Sequence, residues 1–142
     1  MTYKTKDMKA LAEHMEPWID DLVGFDPFVW LSIEDNIAMT NREGDYCLFE
    51  YDSPGIYFGH YFCNSRGKDA RDFSIECLSY MFNNKDAKII KGLTPLTKRG
   101  ARWMARQLGF KSFGAVKTIN GPCELFILTE EDFANGRSIR QK

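Results

Sequence analysis

The stretch Gly59-His60-Tyr61-Phe62-Cys63-Asn64-Ser65-Arg66-Gly67-Lys68-Asp69-Ala70 concentrates residue types that could do chemistry. An apolar, aromatic run passes into a short polar loop with a glycine and two cations, then directly into a helical pattern. The first turn of a helix leaves several backbone N–H groups unpaired, aimed outward at the positive end of the dipole. Such an end is a ready anion site, and phosphate is its usual guest. Gly67 would let the backbone approach an anion closely, and Arg66 and Lys68 would add side-chain charge. The plain alternative is a solvated connection carrying two surface cations.

The elements that must position this loop follow from the hydrophobic period. Met8, Leu11, Ala12, Met15, Ile19 and Leu22 follow a 3–4 spacing, which predicts a helix over 7–22 that Pro17 kinks or restarts. Gly24-Phe25-Asp26-Pro27 is a break. Strands are expected over 28–33, 36–40, 46–51 and 56–63, with turns at 41–45 and 52–55 making an antiparallel meander. Ala70, Phe73, Cys77, Leu78 and Met81 then form a helical stripe, ended by Asn83-Asn84-Lys85-Asp86. A short strand follows over 88–93, punctuated by Thr94-Pro95. Thr97 reads as an N-cap for a helix carrying Ala101, Met104, Ala105 and Leu108, with Gly109 as its C′ residue. Trp103 falls off that stripe. Strands over 112–119 and 124–128 close the sheet around Gly121-Pro122, and Thr129-x-x-Asp132 resembles a capping box. Residues 134–142 are polar and basic and are expected to fray. The order predicts one α/β (α+β) domain over 1–142, with a mixed sheet and helices on its faces. The 56–93 unit is a crossover that places two strands parallel.

Composition narrows the function classes. The 142 residues are 44% hydrophobic and 27% charged, with a formal net charge of −1. No overall field points to nucleic acid or to a membrane surface. Cys47, Cys63, Cys77 and Cys123 form no CxxC pair and only two histidines exist, so no zinc site is expected. Reduced cysteines in apolar runs fit a cytoplasmic chain. The charged N-terminus is not a signal peptide, and no run is long enough to span a membrane.

The 59–110 stretch resembles the GNAT superfamily of N-acetyltransferases, in particular the short domains encoded by tailed bacteriophages. The shared features are Arg66-Gly67-Lys68-Asp69-Ala70 on the helix, Gly92-Leu93-Thr94-Pro95 at a strand end, and Leu108-Gly109-Phe110 at a helix end. The resemblance implies a mixed, mostly antiparallel sheet of six or seven strands with helices on both faces. It implies acetyl-CoA as cofactor and a primary amine, on a small molecule or a protein, as acceptor. In the family's pyrophosphate loop, Arg/Gln-x-x-Gly-x-Gly/Ala, the three pattern positions fall on Asn64, Gly67 and Asp69, and only the central glycine matches strictly. By resemblance, Arg66, Gly67, Lys68, Asp69 and Ala70 would hold the pyrophosphate. Tyr61, Phe62 and Cys63 would splay from the neighbouring strand and offer backbone hydrogen bonds to pantetheine. Thr97 would border the distal pantetheine arm, and the 7–22 helices with the 24–28 loop would wall the acceptor pocket.

Two departures stand out. The family's helix asparagine is replaced by Lys98, and the tyrosine that protonates the leaving thiolate is replaced by Ala105. The amine must lose a proton, so a base is needed. His60 and Glu50 are the candidates, with Tyr57 and Tyr61 as further proton donors; each also has a plain structural reading. A second function class follows from the departures: a GNAT-fold binding or virion-associated protein without turnover. The phage resemblance implies host cytoplasm or the virion as location. The final strand pair could join across a homodimer, although nothing in 112–128 requires it.

Overall fold

The protein's structure, a computed structural model, describes residues 2–17, 26–119 and 121–140. The expected meander forms its centre: β2 (Ile37–Thr40), β3 (Tyr46–Ser53) and β4 (Ile56–Phe62) run antiparallel. β1 (Tyr3–Thr5) adds to the edge of β2, a strand too short and too charged at its flanks to show a period in the sequence. β4 passes through α3 (Gly67–Asn84) to β5 (Ile89–Pro95), which lies parallel to it as the crossover predicts. β7 (Gly121–Thr129) lies between β5 and β6 (Lys111–Thr118), antiparallel to both. The result is a seven-stranded, mostly antiparallel sheet in the order β1-β2-β3-β4-β5-β7-β6.

Strand alternation divides the core in two. Ile37, Met39, Cys47 and Phe49 point to one face, where Phe73, Cys77, Leu78 and Met81 of α3 meet them. Ala105 and Leu108, in and just after α4 (Arg99–Gln107), and Phe133 of α5 (Glu130–Arg140) join that core against Phe126 and Leu128. Ala38, Tyr46 and Leu48 point to the other face, under Leu11 and Met15 of α1 (Met8–Met15) and Trp30 and Leu31 of α2 (Pro27–Ser32). Helices therefore cover both faces, and the β2 and β3 runs read as continuously apolar because both of their sides are buried.

Several expectations are corrected. Residues 28–33 are not a strand: 28–32 are the body of α2 and Ile33 is its C-cap. The Asp26 carboxylate accepts the Phe28 N–H at 2.9 Å, Pro27 opens the first turn, and Pro27, Trp30 and Leu31 are buried at helical spacing. α1 stops at Met15 and Pro17 follows in a short turn; Ile19, Leu22, Gly24 and Phe25 lie outside the described residues. Thr97 does not cap α4, whose N-cap is Lys98 with no side-chain cap bond. Gly121-Pro122 begins β7 rather than forming the turn. Gly109 does take the C′ role, with φ +100°, and the Thr129 hydroxyl accepts the Asp132 N–H at 3.1 Å. No helix among the described residues is long and apolar enough to cross a membrane.

Candidate active site

The sheet opens where β4 and β5 part. Both strands have seven residues, but only Ile56↔Ile89, Tyr57↔Ile90 and Phe58↔Lys91 pair between them. Beyond that point β4 stays with β3 as far as Phe62, and β5 stays with β7 as far as Pro95. Two half-sheets diverge, and the Gly59–Phe62 and Gly92–Pro95 edges face a gap with no ladder across it. Strand edges facing a gap offer backbone donors and acceptors to an extended, amide-bearing ligand. Gly59 sits at the apex, where a Cβ would come within 3.2 Å of Ile90 and 3.5 Å of Phe49.

The gap leads into the start of α3. Arg66 is the N-cap and makes no side-chain cap bond, so no side chain at that position occupies the first-turn N–H groups. Gly67 has φ +59°, a conformation that favours glycine, and a Cβ there would meet nothing within 4 Å. This end of the helix is open as well as dipolar, which fits a phosphate-sized anion. The side chain of Lys68 pairs with Asp72 at 3.4 Å. Asp69 is exposed, while Ala70 is buried against the core.

The β2–β3 turn holds this loop in place, a role the sequence reading did not assign. The buried Asp45 carboxylate accepts the Ser65 N–H at 2.8 Å and the Asn41 amide at 3.1 Å. The Asn64 side chain donates to the carbonyls of Glu43 and Gly44, both at 3.3 Å. Burial raises the Asp45 pKa, but hydrogen bonds from Ser65, Asn41 and the Asn64 backbone outweigh it, and the net shift is downward. The sequence signal was present: Asn-x-x-x-Asp in a turn is the pattern of side chains that bond their own backbone, as Asn41 does to the Glu43 and Asp45 N–H groups.

The proton-transfer candidates separate by face. Glu50 pairs with Phe58 and Leu48 pairs with His60, so Glu50, Phe58 and His60 share the α1–α2 face. Trp30 Nε1 donates to Glu50 Oε1 at 3.2 Å. Half-buried His60 has its pKa lowered by desolvation, against an opposing pull from the Glu50 charge. Tyr61 points to the opposite face, packed on the α3 core, and burial holds its hydroxyl well above the ordinary range. His60 and Tyr61 are therefore not brought together. Phe62 lies at the free end of β4, where its carbonyl is 2.7 Å from a ring nitrogen of His14, a residue the sequence reading passed over. The Cys63 thiol is pushed up to about 12 by burial and the charges of Asp45 and Cys77. It is a poor nucleophile at neutral pH.

The far wall is fixed by charge. Buried Glu124 on β7 accepts from Arg102 Nε at 2.7 Å and Arg106 Nη2 at 2.5 Å, and Arg102 also donates to the Leu96 carbonyl at 3.2 Å. The Ser112 hydroxyl and then these arginines hold the Glu124 carboxyl below its usual range, against its burial. α4 and the loop after β5 are thereby tied to β7. Thr97 is exposed in that loop, Ala105 faces the core, and Trp103 stands 54% exposed.

No protein-family model and no curated protein sequence matches the chain. Solved structures do. An uncharacterized protein from Bacillus halodurans superposes with a TM-score of 0.77 at 11% identity, over 96% of this chain and 87% of its own. The spermidine/spermine N-acetyltransferase SpeG from Vibrio cholerae, in mutant form, gives 0.76 at 9% identity, over 97% of each chain. The aminoglycoside acetyltransferase AAC(6')-Ib, solved in complex with coenzyme A, gives 0.70 at 16% identity, over 96% and 98%. With its seven-stranded mixed sheet and parting β4 and β5, the chain has the GNAT acetyltransferase fold.

Proposed function

We propose that the chain is an acetyl-CoA-dependent N-acetyltransferase acting on a primary amine. The observation that carries this reading is the parting of β4 and β5, which runs straight into the open N-terminus of α3 at Gly67. The cofactor would supply an acetyl thioester, whose C–S bond is exchanged for a C–N bond to the amine. The backbone edge at Gly59–Cys63 would bind the pantetheine amides, with Tyr61, Phe62 and Cys63 contributing main-chain groups. The N–H groups of Gly67, Lys68, Asp69 and Ala70 would bind the pyrophosphate, with Arg66 adding charge and Asn64 holding the loop. Thr97, in the loop after β5, would border the distal pantetheine arm. His60 and Glu50 would receive the amine proton, and the lowered pKa of His60 keeps it a neutral acceptor at pH 7. The phage-type motifs of 59–110 support an origin in a phage genome.

A second reading is a GNAT-fold binding or virion-associated protein without turnover. Buried Ala105 favours it, because no hydroxyl stands where the family's proton-donating tyrosine would be.

Calorimetric titration of acetyl-CoA into wild type, Gly67→Ala and Gly67→Glu tests the reading. Wild type is expected to bind in the micromolar range. Gly67→Ala adds only backbone strain at φ +59° and keeps most of the affinity. Gly67→Glu puts charge where the pyrophosphate would lie, and should weaken binding by about tenfold or more, or about 1.4 kcal/mol. A folded wild type that binds no acetyl-CoA defeats the acetyltransferase reading and leaves the second. Binding without thiol release on any amine favours the second.

A further inference from the structure

One cross-sheet row passes through the base of the gap. Glu50 on β3 pairs with Phe58 on β4, Phe58 pairs with Lys91 on β5, and Lys91 pairs with Ile127 on β7. The row lies on the face away from α3, because the adjacent Phe49, Tyr57, Ile90 and Leu128 all enter the α3 core. Two strand spacings separate Glu50 from Lys91, about 10 Å between backbones. Lys91 Nζ lies 5.5 Å from the centre of the Phe58 ring. Among the described residues no carboxylate pairs with it. Lys91 is half-buried, as are Phe58, Leu93, Leu125 and Ile127 around it, and His60 follows Phe58 on the same face. A cation and an anion thus flank an aromatic ring at the point where the gap begins.

We infer that this row is an acceptor subsite for a zwitterion, an amine joined through a short apolar stem to a carboxylate. The inference rests on the acetyltransferase reading for its place in the reaction. The amine lies toward Glu50 and His60, the stem crosses Phe58, and the carboxylate meets Lys91. A diamine of the same length would set its second ammonium against Lys91 in a half-desolvated site, where like charges repel far more than in water. Trp30 Nε1 donates to Glu50 Oε1, and Oε2 would receive the amine.

The test uses three amines of matched length: δ-aminovalerate, cadaverine and n-pentylamine. Each is titrated by NMR into wild type, Lys91→Gln and Lys91→Glu, and each is then offered with acetyl-CoA while thiol release is followed. Wild type is expected to bind δ-aminovalerate about tenfold tighter than cadaverine. Lys91→Gln should erase that ratio and Lys91→Glu invert it, with unchanged thermal unfolding. No binding of any amine, equal binding of all three, or a ratio unmoved in Lys91→Gln overturns the subsite. Thiol release without discrimination among the amines also overturns it, while the acetyltransferase reading survives. Selective NMR binding with no thiol release keeps the subsite and sinks the acetyltransferase reading instead.

Discussion

His60 is the residue whose chemistry depends most on its surroundings. Desolvation disfavours its charged form more than the Glu50 carboxylate restores it, so its pKa lies below 6.5. A general base with a lowered pKa stays competent further into acid. The acid limb of kcat/KM should therefore inflect below 6.5, and His60→Gln should remove that inflection and lower the rate by about a hundredfold. An inflection unchanged in His60→Gln would assign the base elsewhere, with Glu50 the next candidate. Tyr61 illustrates a different point. Its separation from His60 follows from the two-residue period of a strand, which the sequence reading did not apply to the pair. What it could not say was which face holds the helices α1 and α2 and which holds α3, because that depends on chain connections far from residue 60.

Elements position the loop, and the β2–β3 turn is the one that matters most. Asp45 and Asn41 bond the turn to itself and to Ser65, while Asn64 reaches back to the turn carbonyls. Asp45→Ala leaves buried donors without a partner and should cost about 1–3 kcal/mol of stability. It should also weaken acetyl-CoA binding, since the start of α3 loses its support. The folded pKa of Asp45 is depressed, so its contribution is complete above the unfolded value of about 3.9 and fades as pH falls through the folded value. The stability gap between wild type and Asp45→Asn should accordingly close below about pH 4 in denaturant titrations; a constant gap would contradict the assignment. Legibility differs among elements for physical reasons. The α3 stripe was readable because one side is solvent and the other is core, so the period survives in the residues. The 28–33 run was misread because Phe-Val-Trp-Leu-Ser-Ile carries β-forming side chains, and the deciding signal lay just before it in Asp26-Pro27. Gly67 as the opening of a helix was legible, whereas its buttress in Asp45 appears only once the turn folds against residue 65.

At the scale of the whole molecule, the sheet is two halves joined along three ladder pairs and a shared core on the α3 side. A ligand lying in the gap would touch both halves and the start of α3, and would find no equivalent surface on the unfolded chain. Such a ligand stabilises by mass action, by about 2.7 kcal/mol at one hundred times its Kd. For a chain of 142 residues this corresponds to a rise in melting temperature on the order of 10 °C. The Gly67 variants separate site from scaffold in the same experiment. Both alanine and glutamate carry the strain of φ +59°, so both should melt a few degrees lower without ligand, for a cost of roughly 1–2 kcal/mol. Gly67→Ala should then recover most of the acetyl-CoA rise, because its Cβ meets open space. Gly67→Glu should recover almost none, because its carboxylate faces the same helix end as the pyrophosphate. Equal rises in both variants would move the anion away from α3, and with it the gap as the cofactor's seat.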